Sequence, residues 1–95
     1  MFDLPRVWKF PTPLHALDDV IEVDMPAGAK VLSVVNQREQ LCIYAECDPQ
    51  APLKKRKFRV AGTDHPLEQR VNRRFIGTAV FKGGDLVFHV YELSD

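Results

Sequence analysis

Alternation of apolar and polar residues with a period of two constrains the fold of this chain more than any other feature. In the segment VIEVDM (20–25), apolar side chains alternate with Glu22 and Asp24. Successive side chains of a β-strand point to opposite faces, so this pattern predicts a strand with one buried face. The solvent-facing row of that strand is acidic.

Six further segments are predicted to be strands: VWKF (7–10), AKVLSVVN (29–36), LCIYAEC (41–47), RKFRVAG (56–62), FIGTAVF (75–81) and LVFHVYEL (86–93). Prolines 11 and 13 follow the first and supply no donor to a ladder, which predicts an edge strand there. The run 29–36 is apolar on both parities, which predicts a central strand covered on both sides. Gly83 and Gly84 supply the positive φ that a tight reversal needs, so the last two strands should form a hairpin.

Two stretches are candidates for short helices, residues 14–19 and HPLEQRVN (65–72). In the second, Asp64 is a suitable N-cap and Pro66 is tolerated in a first turn. The residue before a proline favours an extended conformation, so this helix would begin at Pro66 or be a single turn.

These elements predict one mainly β domain over residues 1–95, a small antiparallel sandwich or partly open barrel of about seven strands with one or two short helical turns. The composition, 45% hydrophobic and 27% charged, is typical of globular domains. No apolar run is long enough to cross a bilayer, and MFDLPRVWKF lacks the pattern of a signal peptide. We therefore expect a cytoplasmic protein without a membrane partner.

Charge is segregated along the chain although the formal net charge is zero. Residues 1–50 carry four basic and eight acidic side chains, and residues 51–95 carry nine and five. In one interpretation, acidic strands lie beside basic strands and neutralise them. In the other, a basic face is kept apart for a partner.

The stretch LKKRKFRVAGTDHP (53–66) contains the densest basic run. Alternation predicts that Phe58 and Val60 point inward while Lys57 and Arg59 point outward. The candidate binding residues in this run and in the following segment are Lys55, Lys57, Arg59, Arg70, Arg73 and Arg74. Such a row can meet phosphates, but single-stranded nucleic acid also requires exposed aromatic rings on the same surface. Only Tyr44 or Tyr91 would be close enough, and a basic row on an edge strand equally serves to prevent aggregation.

No catalytic residue, metal site or cofactor is predicted. Alternation places Cys42 and Cys47 on opposite faces of one strand, so they cannot form a disulfide within it, and their spacing matches no zinc signature. Thr63, Asp64 and His65 are sequence neighbours and would seldom converge on one point, so we expect no enzyme. His89, within an apolar strand, is expected to be a partly buried side chain with its hydrogen bonds satisfied.

Five segments in order resemble a family of short uncharacterised proteins encoded by tailed phages and prophages: WKFP (8–11), MPAGAKVLSV (25–34), FRVAGTDHP (58–66), FIGTAVF (75–81) and LVFHVYEL (86–93). The family turn reads Gly-Thr-Gly-His-Pro, whereas this chain has Asp64 at the third position. The resemblance implies a protein acting inside an infected or lysogenic bacterium and carries over no functional residue.

Three functions follow from these observations. The leading hypothesis is a non-enzymatic phage or prophage accessory protein, a module that binds a host or phage protein and can itself be a homodimer, since a compact β domain offers sheet edges. The second is a small β-barrel that binds nucleic acid through the basic segments 54–59 and 70–74. The third is a self-associating structural accessory protein.

Overall fold

A computed structural model of the chain describes residues 4–12, 20–69 and 71–94. It contains seven strands, whose bounds are β1 Arg6–Pro11, β2 Val20–Pro26, β3 Lys30–Gln37, β4 Gln40–Cys47, β5 Leu53–Gly62, β6 Asn72–Phe81 and β7 Leu86–Ser94. A 3-10 turn at Lys82–Gly84 joins β6 to β7. Gly83 and Gly84 both have positive φ, which confirms the predicted hairpin. The candidate helix at 14–19 lies outside the described residues.

The strands form two antiparallel sheets that pack as a sandwich. The three-stranded sheet has the order β1-β4-β3, and the four-stranded sheet has the order β2-β5-β7-β6. All strand pairs are antiparallel. The mainly β sandwich is therefore confirmed, and the sheets do not close into a barrel.

The core lies between the two sheets and follows the predicted parity. Its fully buried side chains include Met25, Leu41, Ile43, Phe58 and Val90. Trp8 and Phe10 share the inner face of β1, with ring centroids 6.4 Å apart. β1 is also the edge strand that its prolines predicted.

The prediction that the run 29–36 is a central strand is wrong, because β3 is an edge strand of the smaller sheet. A β-bulge between Val31 and Ser33 shifts the register against β4. Val31 and Val34 are therefore both buried, although a regular strand would turn them to opposite faces, and Leu32 is left 44% exposed. A bulged edge strand thus gives the same apolar pattern as a strand covered on both sides.

The helix predicted at 65–72 is also wrong for the residues that the structure describes there. Residues 65–69 and 71 form a loop that leads into β6 at Asn72. Asp64 has φ 69° and lies in a turn closed by the His65 N–H, which donates to Gly62 O at 3.2 Å, so Asp64 is not a helix cap. A residue before proline disfavours the helical conformation, which is consistent with a turn and loop here in place of a helix.

One long side of the sandwich is closed by contacts between β3 and β6. The Asn36 side chain donates to the Val80 carbonyl at 2.9 Å, and Gly77 lies against Val34. The edges of the two sheets therefore cover each other along this seam. No helix in the described part of the chain is long and apolar enough to cross a membrane.

Candidate functional site

The basic strand β5 is central in its sheet, between β2 and β7, so the prediction of a basic edge strand is wrong. Its neighbour β2 presents the acidic row, with Glu22 opposite Lys57 and Asp24 opposite Lys55. Lys55 Nζ lies 3.4 Å from Asp24 Oδ1. The two charged halves of the sequence therefore meet side by side and neutralise each other across the sheet, as the first interpretation predicted.

Arg59 was predicted to point into solvent, and this is wrong: only 6% of its surface is exposed. The loop after β5 lies over it. Arg59 Nε donates to Glu68 Oε2 at 3.1 Å, and its two other nitrogens donate to Val60 O at 2.8 Å and Pro66 O at 3.4 Å. Alternation gives the face of the sheet correctly, but it contains no information about a loop that later covers that face.

Two further arginines share one carboxylate. Glu92 on β7 accepts from Arg56 on β5 and, at 3.2 Å, from Arg74 on β6. Arg56 also donates to Ala29 O at 2.9 Å, which ties the turn before β3 to the larger sheet. Arg74 is therefore a partner in an ion pair rather than an unoccupied anion contact.

Arg73 is the predicted binding residue that stands apart from these acid pairs. Its guanidinium lies over the ring of Tyr91, 5.5 Å from the ring centroid, and donates to the carbonyl of Glu68 at 2.7 Å. Lys57 and Arg73 flank Leu93 in register, so their strands are two spacings, about 10 Å, apart. Of the six predicted binding residues, Arg70 lies outside the described residues.

An exposed aromatic pair lies on this same outer face. The rings of Phe75 and Tyr91 are 5.4 Å apart in an edge arrangement, and Phe75 is 55% exposed. We use the term Tyr91 face for the outward side chains at this end of the four-stranded sheet: Phe75, Tyr91, Arg73 and Leu93. Of the two candidate tyrosines, Tyr91 therefore shares the surface of β5, whereas Tyr44 lies on the other sheet.

Phe75 was missed as a surface residue because a β-bulge interrupts β6. The register shifts between Phe75 and Gly77, so Phe75 points outward although Ala79 and Phe81 are buried in the core. Regular alternation from Ala79 would have placed Phe75 inside. The isolated glycine within the strand is the sequence signal that indicates such a bulge.

His89 lies further along the same face and makes the hydrogen bonds that were expected of it. Its Nε2 is 2.9 Å from the Thr63 hydroxyl, and its Nδ1 is 3.0 Å from the Thr78 hydroxyl. The Thr63 hydroxyl also lies 3.3 Å from Val87 O, and in this contact the hydroxyl must be the donor because a carbonyl oxygen only accepts. This pattern assigns the proton to Nε2, with Thr78 donating to Nδ1, so both ring nitrogens are engaged.

The two cysteines are free and buried, on the opposite faces of β4 that the sequence predicted. Burial raises the pKa of the Cys47 thiol above its ordinary value of 9.0, and the nearby charge of Arg56 lowers it by less. Cys47 therefore remains a protonated packing residue. Within residues 4–12, 20–69 and 71–94, no three His, Cys, Asp or Glu side chains are grouped closely enough to hold a metal ion.

Comparison with known proteins shows which family the chain belongs to. The model of the domain of unknown function DUF7352 matches residues 5–95. The chain belongs to this family. No curated protein and no solved structure matches it.

Proposed function

We propose that this DUF7352 domain is a non-enzymatic protein-binding module and that the Tyr91 face is its contact surface. The observation that carries the proposal is the exposed Phe75–Tyr91 pair with Arg73 stacked upon it. Tyrosine, phenylalanine and arginine are enriched at the centres of protein interfaces. Aromatic side chains bury large areas and lose little conformational entropy on binding, so a few such residues supply most of the binding energy.

The charges around this face favour a protein over a polyanion. Lys55 and Arg59 each have a carboxylate partner within 3.4 Å, and Lys57 lies opposite Glu22. Nucleic-acid affinity depends on basic groups that replace the counterions of the phosphates. Here Lys55, Lys57 and Arg59 lie beside acidic neighbours and Arg73 lies over the Tyr91 ring, which leaves an aromatic centre within a rim of mixed charge.

One observation favours nucleic acid as the second candidate. Phe75 and Tyr91 supply the exposed rings that base stacking requires, beside Arg73 and Lys57. The resemblance to short phage and prophage proteins is compatible with either partner and supports an action within a bacterial cell. A second copy of the chain is a third partner that the same face can accept, which would make the domain a self-associating accessory protein.

The proposal is tested by capture from bacterial lysate with three proteins: wild type, Phe75→Asp and Val7→Asp. Val7 is the matched control, because it is equally exposed, at 59%, but lies on β1 of the other sheet. A specific partner should be captured by wild type and Val7→Asp and lost with Phe75→Asp. With the purified partner, Tyr91→Ala should weaken binding about 30-fold, as expected for a central hot-spot residue.

Three outcomes would contradict the proposal. Equal capture by Phe75→Asp and wild type would remove the Tyr91 face from the interaction. Salt-sensitive binding of single-stranded oligonucleotides, lost when Lys57 and Arg73 are replaced by Gln, would assign the face to nucleic acid. Concentration-dependent dimerisation seen by light scattering, and abolished by Phe75→Asp, would show that the partner is a second copy.

A further inference from the structure

A cavity of about 310 Å³ opens where β5 ends and β7 begins. Gly62, Thr63, His65 and residues 85–88 line it. Thr63 fixes the turn after β5 to β7, because its backbone N–H donates to Val87 O at 3.2 Å. The volume is at the lower end of the range for sites that hold small molecules.

Gly62 shapes one wall of this cavity by having no side chain. A Cβ at position 62 would lie 2.9 Å from His65 Nδ1 and 3.0 Å from Cε1. The imidazole therefore rests directly against the strand backbone. Gly62 has no positive φ, so space rather than backbone conformation is the reason for the glycine.

The turn that presents His65 is itself held in an uncommon conformation. Asp64 has φ 69°, in the left-handed region that few residues other than glycine, asparagine and aspartate adopt. Such conformations persist where the surrounding structure fixes them and are concentrated at binding sites. The close packing on Gly62 and the conformation of Asp64 are separate observations that both hold the His65 wall in place.

The chemistry of the lining selects the ligand. Leu86, Val87 and Phe88 are the apolar residues of the lining, and no lysine or arginine is among the residues that line the cavity. Asp85 is an exposed residue of the lining, and no hydrogen bond or ion pair joins its carboxylate to another described residue. A ligand with an apolar body could pack against residues 86–88, and a positive group on the same ligand could pair with the Asp85 carboxylate.

We infer that this cavity binds a small organic cation, an amine or guanidinium group on an apolar or aromatic body, with Asp85 as its counter-charge. Thr63 and His65 border the ligand on the side of the β5 turn. The site lies at the His89 end of the sheet and uses none of the residues of the Tyr91 face, so it is independent of the proposed protein interface.

The test is titration of ¹⁵N-labelled protein with three matched probes: phenethylamine, 2-phenylethanol and phenylacetate. Phenethylamine should shift the amide resonances of Gly62, Thr63 and residues 85–88 and bind more tightly than the neutral alcohol, and the anion should bind most weakly. Asp85→Asn should weaken the binding of phenethylamine about fivefold, which is the effect of one charge pair near 4 Å in water. The same substitution should leave the affinity for 2-phenylethanol unchanged. Glu46→Gln, on the other sheet, is the control, and it should change neither of these two affinities.

Asp85 is exposed, so its substitution should leave the fold intact, and the comparison of amine with alcohol needs no variant. The inference is overturned if the three probes bind equally, if none of them shifts these resonances, or if Asp85→Asn leaves the affinity for phenethylamine unchanged. Loss of a protein partner on Phe75→Asp would affect none of these measurements, so failure of the two proposals can be distinguished.

Discussion

The guanidinium of Arg59 and the carboxylate of Glu68 lie 3.1 Å apart, with the arginine buried and the glutamate 59% exposed. The pair fastens the loop after β5 onto the outer face of the sheet. It also removes from solvent a cation that the sequence places on a surface row. The charges of this face are therefore decided by the loop as much as by the strand.

Replacing Arg59 should cost far more stability than replacing Glu68. Arg59→Ala removes three hydrogen bonds and leaves a buried gap, and we expect a loss of about 2 kcal/mol in the free energy of unfolding. Glu68→Gln changes an exposed partner and should cost less than about 1 kcal/mol. Urea unfolding measures both. Equal losses of unfolding free energy in the two variants would contradict this expected difference.

The seam between the two sheets is expected to be sensitive to a single methyl group. A Cβ at Gly77 would lie 3.2 Å from Val34 Cγ2, tighter than an ordinary contact. Gly77→Ala should lower the free energy of unfolding by about 1 kcal/mol, because a packed interior yields little. In a Val34→Ala background the same change should cost at least ~0.5 kcal/mol less, and additive losses in the double-mutant cycle would argue against the contact.

The turn between β3 and β4 carries strain that a substitution can relieve. Arg38 and Glu39 have φ of 55° and 63°, in a two-residue hairpin loop that favours Asn-Gly. Arg38→Asn should raise the free energy of unfolding by about 0.5 kcal/mol, because asparagine tolerates the left-handed region. Arg38→Ala removes the same side chain without this tolerance and is the control. If thermal unfolding shows that Arg38→Ala is more stable than Arg38→Asn, the explanation is contradicted.

Cys47 should make the fold less stable in alkali. Its pKa is raised in the folded state, so the unfolded chain loses the thiol proton first as the pH rises through 9.0. The stability that the neutral thiol contributes is complete below that pH and is lost as the pH rises towards the folded pKa. The difference in unfolding free energy between wild type and Cys47→Ala should therefore shrink above pH 9.

A thiol reagent provides a second measurement on the same residue. Because Cys42 and Cys47 are both buried, neither should react with an aromatic disulfide at pH 8 until denaturant is added. Rapid reaction of one thiol in the folded protein would show that the strand opens locally.

Period-two alternation predicted the seven strands because each strand buries one face. It failed where the period was interrupted. Bulges in β3 and β6 changed which residues face solvent: the first buries Val31 and Val34 together on an edge strand, and the second brings Phe75 to the surface. Local preferences also compete, and at residues 62–65 a turn with Asp64 at positive φ formed in place of a helix cap.

The sequence by itself determined the strands, the hairpin at residues 82–85, the inward rows of apolar side chains and the opposite faces of the two cysteines. These depend on local geometry and on burial along one strand. Only the tertiary structure decided that the acidic strand lies beside the basic one, that Arg59 is covered, and that Tyr91 meets Phe75 and Arg73. Those relationships join residues far apart in the chain, and no local preference specifies which strands become neighbours.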